Sequence, residues 1–228
     1  MPILLDTITF DDAHTSANEV WAEVGGRDER IVTLSGIVAG LSTATAIEAR
    51  LDAILDAASR EDYSAALSLR PGRRLWVRRN AFKRDLAPDA LAAAFTLELA
   101  ARDPFEEAID AVSTPWSIHA SGDTLALASA GTVDALPRIE LTAGGTLVDP
   151  AISDGTRTIA YPGIVASGQT LVFDAATRTA TIDGVDITPY CTGLFPRIAP
   201  EGTTLTYSGA PESTHAIAAL VIHRARWW

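Results

Sequence analysis

The chain has 228 residues, with 18 Lys or Arg against 29 Asp or Glu, a formal charge of -11, and 47% hydrophobic and 21% charged residues. That balance excludes intrinsic disorder, which needs low hydropathy and high charge. It also argues against a protein that coats nucleic acid, because neutralising phosphates takes a basic face. The lone Cys191 cannot close a disulfide within the chain, so packing must hold the fold.

The length admits two domains of roughly 110 residues each. At the start, Met1 to Phe10 carries Asp6 and no basic region before an apolar stretch, so it does not read as a signal peptide. No uncharged apolar run approaches the roughly 20 residues that cross a bilayer, and membrane insertion is not expected. The longest, Ala216 to Ile222, is of strand length.

In the first half, strands are expected at Glu19 to Val24, Arg30 to Val38, Tyr63 to Leu69, Arg74 to Arg78 and Ala94 to Ala101. Chain reversals are expected at Gly25-Gly26 and Pro71-Gly72. One helix interrupts them, over 45–58, because Ile47, Leu51, Ile54, Leu55 and Ala58 make a single apolar stripe. Thr45 and Glu48 stand at capping-box spacing. Arg102-Asp103-Pro104 should end the last strand, and a domain boundary is expected near residue 110, giving domains 1–110 and 111–228.

Beyond it charges thin out and Thr, Gly and Ala rise. Short strands are expected at Thr124 to Ala128, Arg138 to Thr142, Arg157 to Tyr161, Thr170 to Asp174, Arg178 to Ile182, Thr204 to Ser208 and Ala216 to His223. Their spacing is that of a β-sandwich. Turns are marked at Gly122-Asp123, Gly144-Gly145, Asp174 to Thr177 and Asp183-Gly184.

Catalytic signals are missing. His14, His119, His215 and His223 show no metal-ligand spacing, and nucleophile-elbow, phosphate-loop and dinucleotide motifs are absent, so neither catalytic residues nor a metal or other cofactor is expected. Asp174, Asp183 and Asp186 sit where turn aspartates bond nearby backbone N–H groups, which outweighs a glycosidase or calcium role. Trp76, Trp116, Trp227 and Trp228 are read first as core or subunit-contact residues and second as a sugar-stacking platform. Cys191 reads as a small buried hydrophobe.

The strongest local signal is the basic run Arg70, Arg73, Arg74, Arg78, Arg79, Lys83 and Arg84. On the helix, Glu48, Asp52 and Asp56 form an acidic strip with no basic residue in register. Something basic should face that strip, from the same subunit or from a neighbour; the competing role for the arginines is to line a lumen.

The order of features resembles the distal tail protein family of siphophages. The residues carrying it are Gly26 to Gly36, Ala49 to Asp52, Phe95 to Leu99 running into Arg102-Asp103-Pro104-Phe105, Ala130 to Pro137 before Ile139-Glu140-Leu141, Gly168 to Asp174, and Gly193 to Gly202 before Thr204 to Gly209. Gly202-Thr203 stands where the family pattern has an asparagine. The resemblance implies a mainly β protein of two sandwich domains, the first with one packed helix and ring-forming, the second galectin-like or jelly-roll. It implies a structural, non-enzymatic tail-tip component of the virion, assembled in the host cytoplasm as a hexameric ring. Tail tube and tip or baseplate hub proteins would be its partners, with DNA passing through the lumen. The alternative from another class is carbohydrate binding at a host surface through the second sandwich, and a β-sandwich hydrolase ranks last.

Overall fold

The computed structural model describes residues 2–11, 14–24, 27–60, 62–86 and 91–228. The fold is mainly β, with one α-helix. The chain divides into two compact units, Met1–Ile109 with Trp228, and Asp110–Trp227.

The first unit contains β1 (Ile3–Leu5), β2 (Ile8–Phe10), β3 (Thr15–Val24), β4 (Arg27–Ala39), α1 (Ala44–Ala58), β5 (Ala65–Ser68), β6 (Arg73–Leu86), β7 (Ala92–Ala101) and β8 (Glu106–Ala108). The antiparallel strands run in the order β2-β1-β5-β6-β7-β4-β3, with β8 beside the start of β6. The sheet curls until Phe10 of β2 meets Phe95 of β7, ring centroids 5.8 Å apart. Ile47, Leu51, Ile54, Ala57 and Ala58 of α1 close the core over Val32, Leu34, Leu75, Val77, Leu97 and Leu99. The expected reversal at Gly25-Gly26 lies outside the described residues.

Two expectations need correction here. The capping residue of α1 is Thr43, not Thr45. Thr43 has extended backbone and its hydroxyl accepts from Ala46 N at 3.1 Å, while Thr45 is already helical. The strand expected to stop at Arg78 continues to Leu86, because the pairing with β7 shifts register between Arg79 and Ala81. The extra residue resets the alternation, so that Leu75 and Val77 point to the core before the bulge and Phe82 and Leu86 after it. Arginine and asparagine at the bulge hide a single long strand.

The second unit contains β9 (Val112–Ile118), β10 (Thr124–Leu127), β11 (Arg138–Ala143), β12 (Leu147–Val148), β13 (Ala151–Ser153), β14 (Thr158–Ala160), β15 (Ile164–Val165), β16 (Thr170–Asp174), β17 (Thr179–Ile182), β18 (Val185–Asp186), β19 (Thr192–Gly193), β20 (Thr203–Ser208) and β21 (Ile217–His223). Two antiparallel sheets, β18-β17-β16-β11-β21-β9 and β10-β20-β13-β14-β19, make the sandwich. Ile139, Leu141, Leu171, Phe173 and Val221 from one sheet and Ile152, Ile159, Leu205 and Tyr207 from the other form its core. β9 is missing from the sequence expectation because it contains Pro115, and it tolerates that residue as an edge strand whose partner among the described strands is β21.

Candidate functional site

The basic run is not one surface. Its first part folds inward onto a buried ion network built from all over the first unit. Arg30 of β4 lies opposite Trp21 of β3 and Ala101 of β7, and is only 1% exposed. A guanidinium so deep needs acceptors on every side. Arg30 Nε donates to Glu19 Oε2 at 2.9 Å, Nη1 to the Pro104 carbonyl at 3.1 Å, and Nη2 to Glu106 Oε1 at 3.3 Å. Arg70 joins Glu19 Oε1 at 3.2 Å and also contacts Glu106, whose Oε2 lies 3.7 Å from Arg73. Burial alone would pull Arg70 down. The hydrogen bond and charge of Glu106, with those of Glu19, outweigh burial and hold its guanidinium above its ordinary range.

Next along the run, Arg74 donates through Nε to Glu107 Oε1 at 2.8 Å and stacks 4.5 Å over the ring of Trp76, whose indole N–H donates to the same oxygen at 2.9 Å. On either side of the bulge the side chains separate to two faces. Arg79 and Arg84 stand on the core-side register with Leu99 and Phe95 and reach α1, Arg79 to Ser59 Oγ at 2.7 Å and Arg84 to Asp52 Oδ1 at 2.9 Å. Part of the acidic strip is thus met by the basic run of the same chain. Arg78 and Lys83 stand on the opposite register with Ala100 and Thr96, and both are exposed. Arg78 stacks 4.8 Å from the ring of Tyr63. Across the sheet the rows of these two residues are uncharged, Arg78 leading through Ala100 and Ile31 to Val20 and Lys83 through Thr96 and Ser35 to Ser16, while exposed Asp85 stands on the same face of β6 opposite Ala94. Glu98 lies between those rows, its carboxylate taken by Asn80.

No family model matches this chain, and no curated protein matches it either. A solved structure does. The crystal structure of SPP1 Dit (gp 19.1), described as a paradigm of the hub adsorption apparatus in phages that infect Gram-positive bacteria, aligns at a TM-score of 0.67 and 14% identity, over 100% of this chain and 99% of that one. The two chains share a fold. A structure of infectious bursal disease virus aligns at a TM-score of 0.26 and 12% identity, over 98% of this chain and 56% of that one.

The remaining sequence candidates are engaged locally. Asp174 Oδ1 accepts from Ala176 N and Thr177 N, Asp183 from Thr170 N, and Asp186 from Thr188 N, all at 2.8–3.1 Å. Among the described residues, no three His, Cys, Asp or Glu side chains are grouped as a metal site would need. Trp116 is buried in the second core, while Trp228 packs edge-on against Phe105 at 4.8 Å. Cys191 is half-buried against the same core, and burial pushes its thiol up, with a smaller push from Asp186. The Gly202-Thr203 turn is closed by the Thr203 hydroxyl accepting from Ala199 N at 2.9 Å. Arg30, Glu19, Glu106 and Glu107 were not singled out in the sequence, because only the sheet register brings them together. The one available signal was a carboxylate pair following the strand-ending Pro104.

Proposed function

We propose that this protein is a distal tail protein, a non-enzymatic structural component of a phage or phage-like tail tip. In this reading it forms a homo-oligomeric ring, a hexamer, that joins the tail tube to the distal tip or baseplate hub. The observation that carries the reading is the end-to-end fold match, which leaves neither chain with an unmatched domain. Fold alone does not assign function. Two features of this chain support the same reading. The exposed outer sheet rows of the first unit, with Val20 at 50% and Ile37 at 51% exposure, are suited to burial against another subunit. The turn carboxylates and most of the basic run are committed to holding the fold.

The unit up to Ile109 is proposed as the ring former and the second sandwich as the outward-facing part, with the tail end of the virion as the location. Arg70 to Arg84 contribute to subunit contacts or to the lumen through which DNA passes. The test is native mass spectrometry with electron microscopy of the purified chain at high concentration, joined to antibody labelling of particles. Rings and label confined to the tail end are expected. A protein that stays monomeric and labels no particle would refute the reading.

A further inference from the structure

Within the proposed ring, charges of the first unit that have no ion-pair partner among the described residues form two complementary faces. On the solvent side of α1, Asp52 is paired with Arg84, but Glu48 and Asp56 are exposed and meet no cation among the described residues. On the outer side of β6, Arg78 and Lys83 are exposed and meet no carboxylate among the described residues. The helix packs on the core side of the sheet, whereas Arg78 and Lys83 share the opposite register. Among the described residues, these acids and bases find no ion-pair partner within their own chain.

The spacings match. Glu48 and Asp56 are two helical turns apart, about 12 Å at 1.5 Å per residue. Arg78 and Lys83 lie opposite Ala100 and Thr96 of β7, a separation of about 14 Å at 3.4 Å per residue, well within the reach of long basic side chains. We infer that the subunit contact is heterologous, with the Glu48–Asp56 face of α1 in one copy seated on the Arg78–Lys83 face of β6 in the next. Because the two faces differ, each copy offers one and accepts one, which generates a ring when the rotation closes. A second copy fits better than nucleic acid. The chain carries a net charge of -11 and leaves few cations free on this face.

This inference rests on the ring reading, and its test separates the two. R78E/K83E and E48R/D56R are made separately and combined in one chain, with R84A as a control for the intramolecular pair. Thermal melts establish that each variant is folded. The concentration midpoint of assembly, read by light scattering, should rise at least about tenfold in either double variant and return when the two are combined, since reversal replaces attraction with repulsion at each contact. R84A should leave it nearly unchanged, and added salt should raise the wild-type midpoint. A wild-type chain that never assembles overturns the ring reading itself. Wild-type rings indifferent to both reversals, or reversals not rescued in combination, overturn the pairing alone. If R78E/K83E leaves the ring intact but weakens binding to a short DNA duplex, the two cations belong to the lumen.

Discussion

In the first unit β6 alone runs for 14 residues, whereas no strand of the second unit exceeds 7. Long strands in register carry charges across great sequence distances. Arg30 meets Glu106, 76 residues away, and Arg70 meets Glu19, 51 residues away. In the second unit the turn carboxylates bond backbone N–H groups instead, Asp174 one two residues ahead, and Asp154 one three residues ahead through Oδ1 and that of Arg197 through Oδ2. Positive φ at residues other than glycine occurs in both units, at Asp6, Asp62 and Tyr63 in the first and at Asp149, Arg178, Asp183 and His215 in the second, so the contrast lies in the charges and not in the backbone. One unit is therefore ordered by charge pairing between distant strands, the other by carboxylates bonded to the backbone of its turns and connections.

The largest expected effect breaks the first half of that contrast. Glu106→Ala leaves the Arg30 guanidinium buried with only part of its acceptors, a change that typically costs about 3–5 kcal/mol. Glu107→Ala removes a half-buried partner of Arg74 and should cost about 1 kcal/mol or less. Urea unfolding followed by amide exchange on β4 and β7 reads the difference in the right unit. If the two substitutions cost the same, the buried network is not what organises those strands.

The second half is broken at a glycine. Gly193 has φ +95, and a Cβ there would lie 2.0 Å from the Thr158 carbonyl oxygen, across the β14–β19 pairing. Strain at positive φ and a clash with rigid backbone together put Gly193→Ala at about 2–4 kcal/mol. Exchange should rise first at β14 and β19, with β4 and β7 unaffected. Loss of protection in both units at once would mean they do not respond separately.

The same contrast governs what could be read in advance. The second unit was legible in its longer strands other than β9, because alternation and turn residues are local: Thr170–Asp174 and its hairpin partner stand where expected. Strands of two or three residues, such as Leu147–Val148, are too short to show a period. In the first unit the helix and the end of β7 before Pro104 were legible for the same local reason. The bulge in β6 was not, since two alternating segments out of phase look like a strand followed by a polar loop. The division of the basic run between a buried network, the helix and the outer sheet face was hidden too. It depends on residues far away in sequence.

The smallest effect sharpens the comparison where local reading nearly succeeded. Two threonines stand near the start of α1, and the spacing of Thr45 with Glu48 favoured the wrong one. Thr43 is the residue with extended backbone, and its hydroxyl and carbonyl both accept from Ala46 N at 3.1 Å, the carbonyl also from Ile47 N at 3.2 Å. Removing an N-cap hydroxyl costs about 1 kcal/mol, because an orphan N–H of the first turn loses its acceptor. Thr45 is already inside the helix and exposed, where alanine has the better intrinsic propensity by a few tenths of a kcal/mol. Thr43→Ala should therefore lower the stability of the first unit by about 1 kcal/mol, while Thr45→Ala should leave it unchanged or slightly raised. Urea midpoints of the two variants, with exchange at Ala46 and Ile47, distinguish the cases. The reverse order would restore the Thr45–Glu48 capping box and move the start of the helix two residues along the chain.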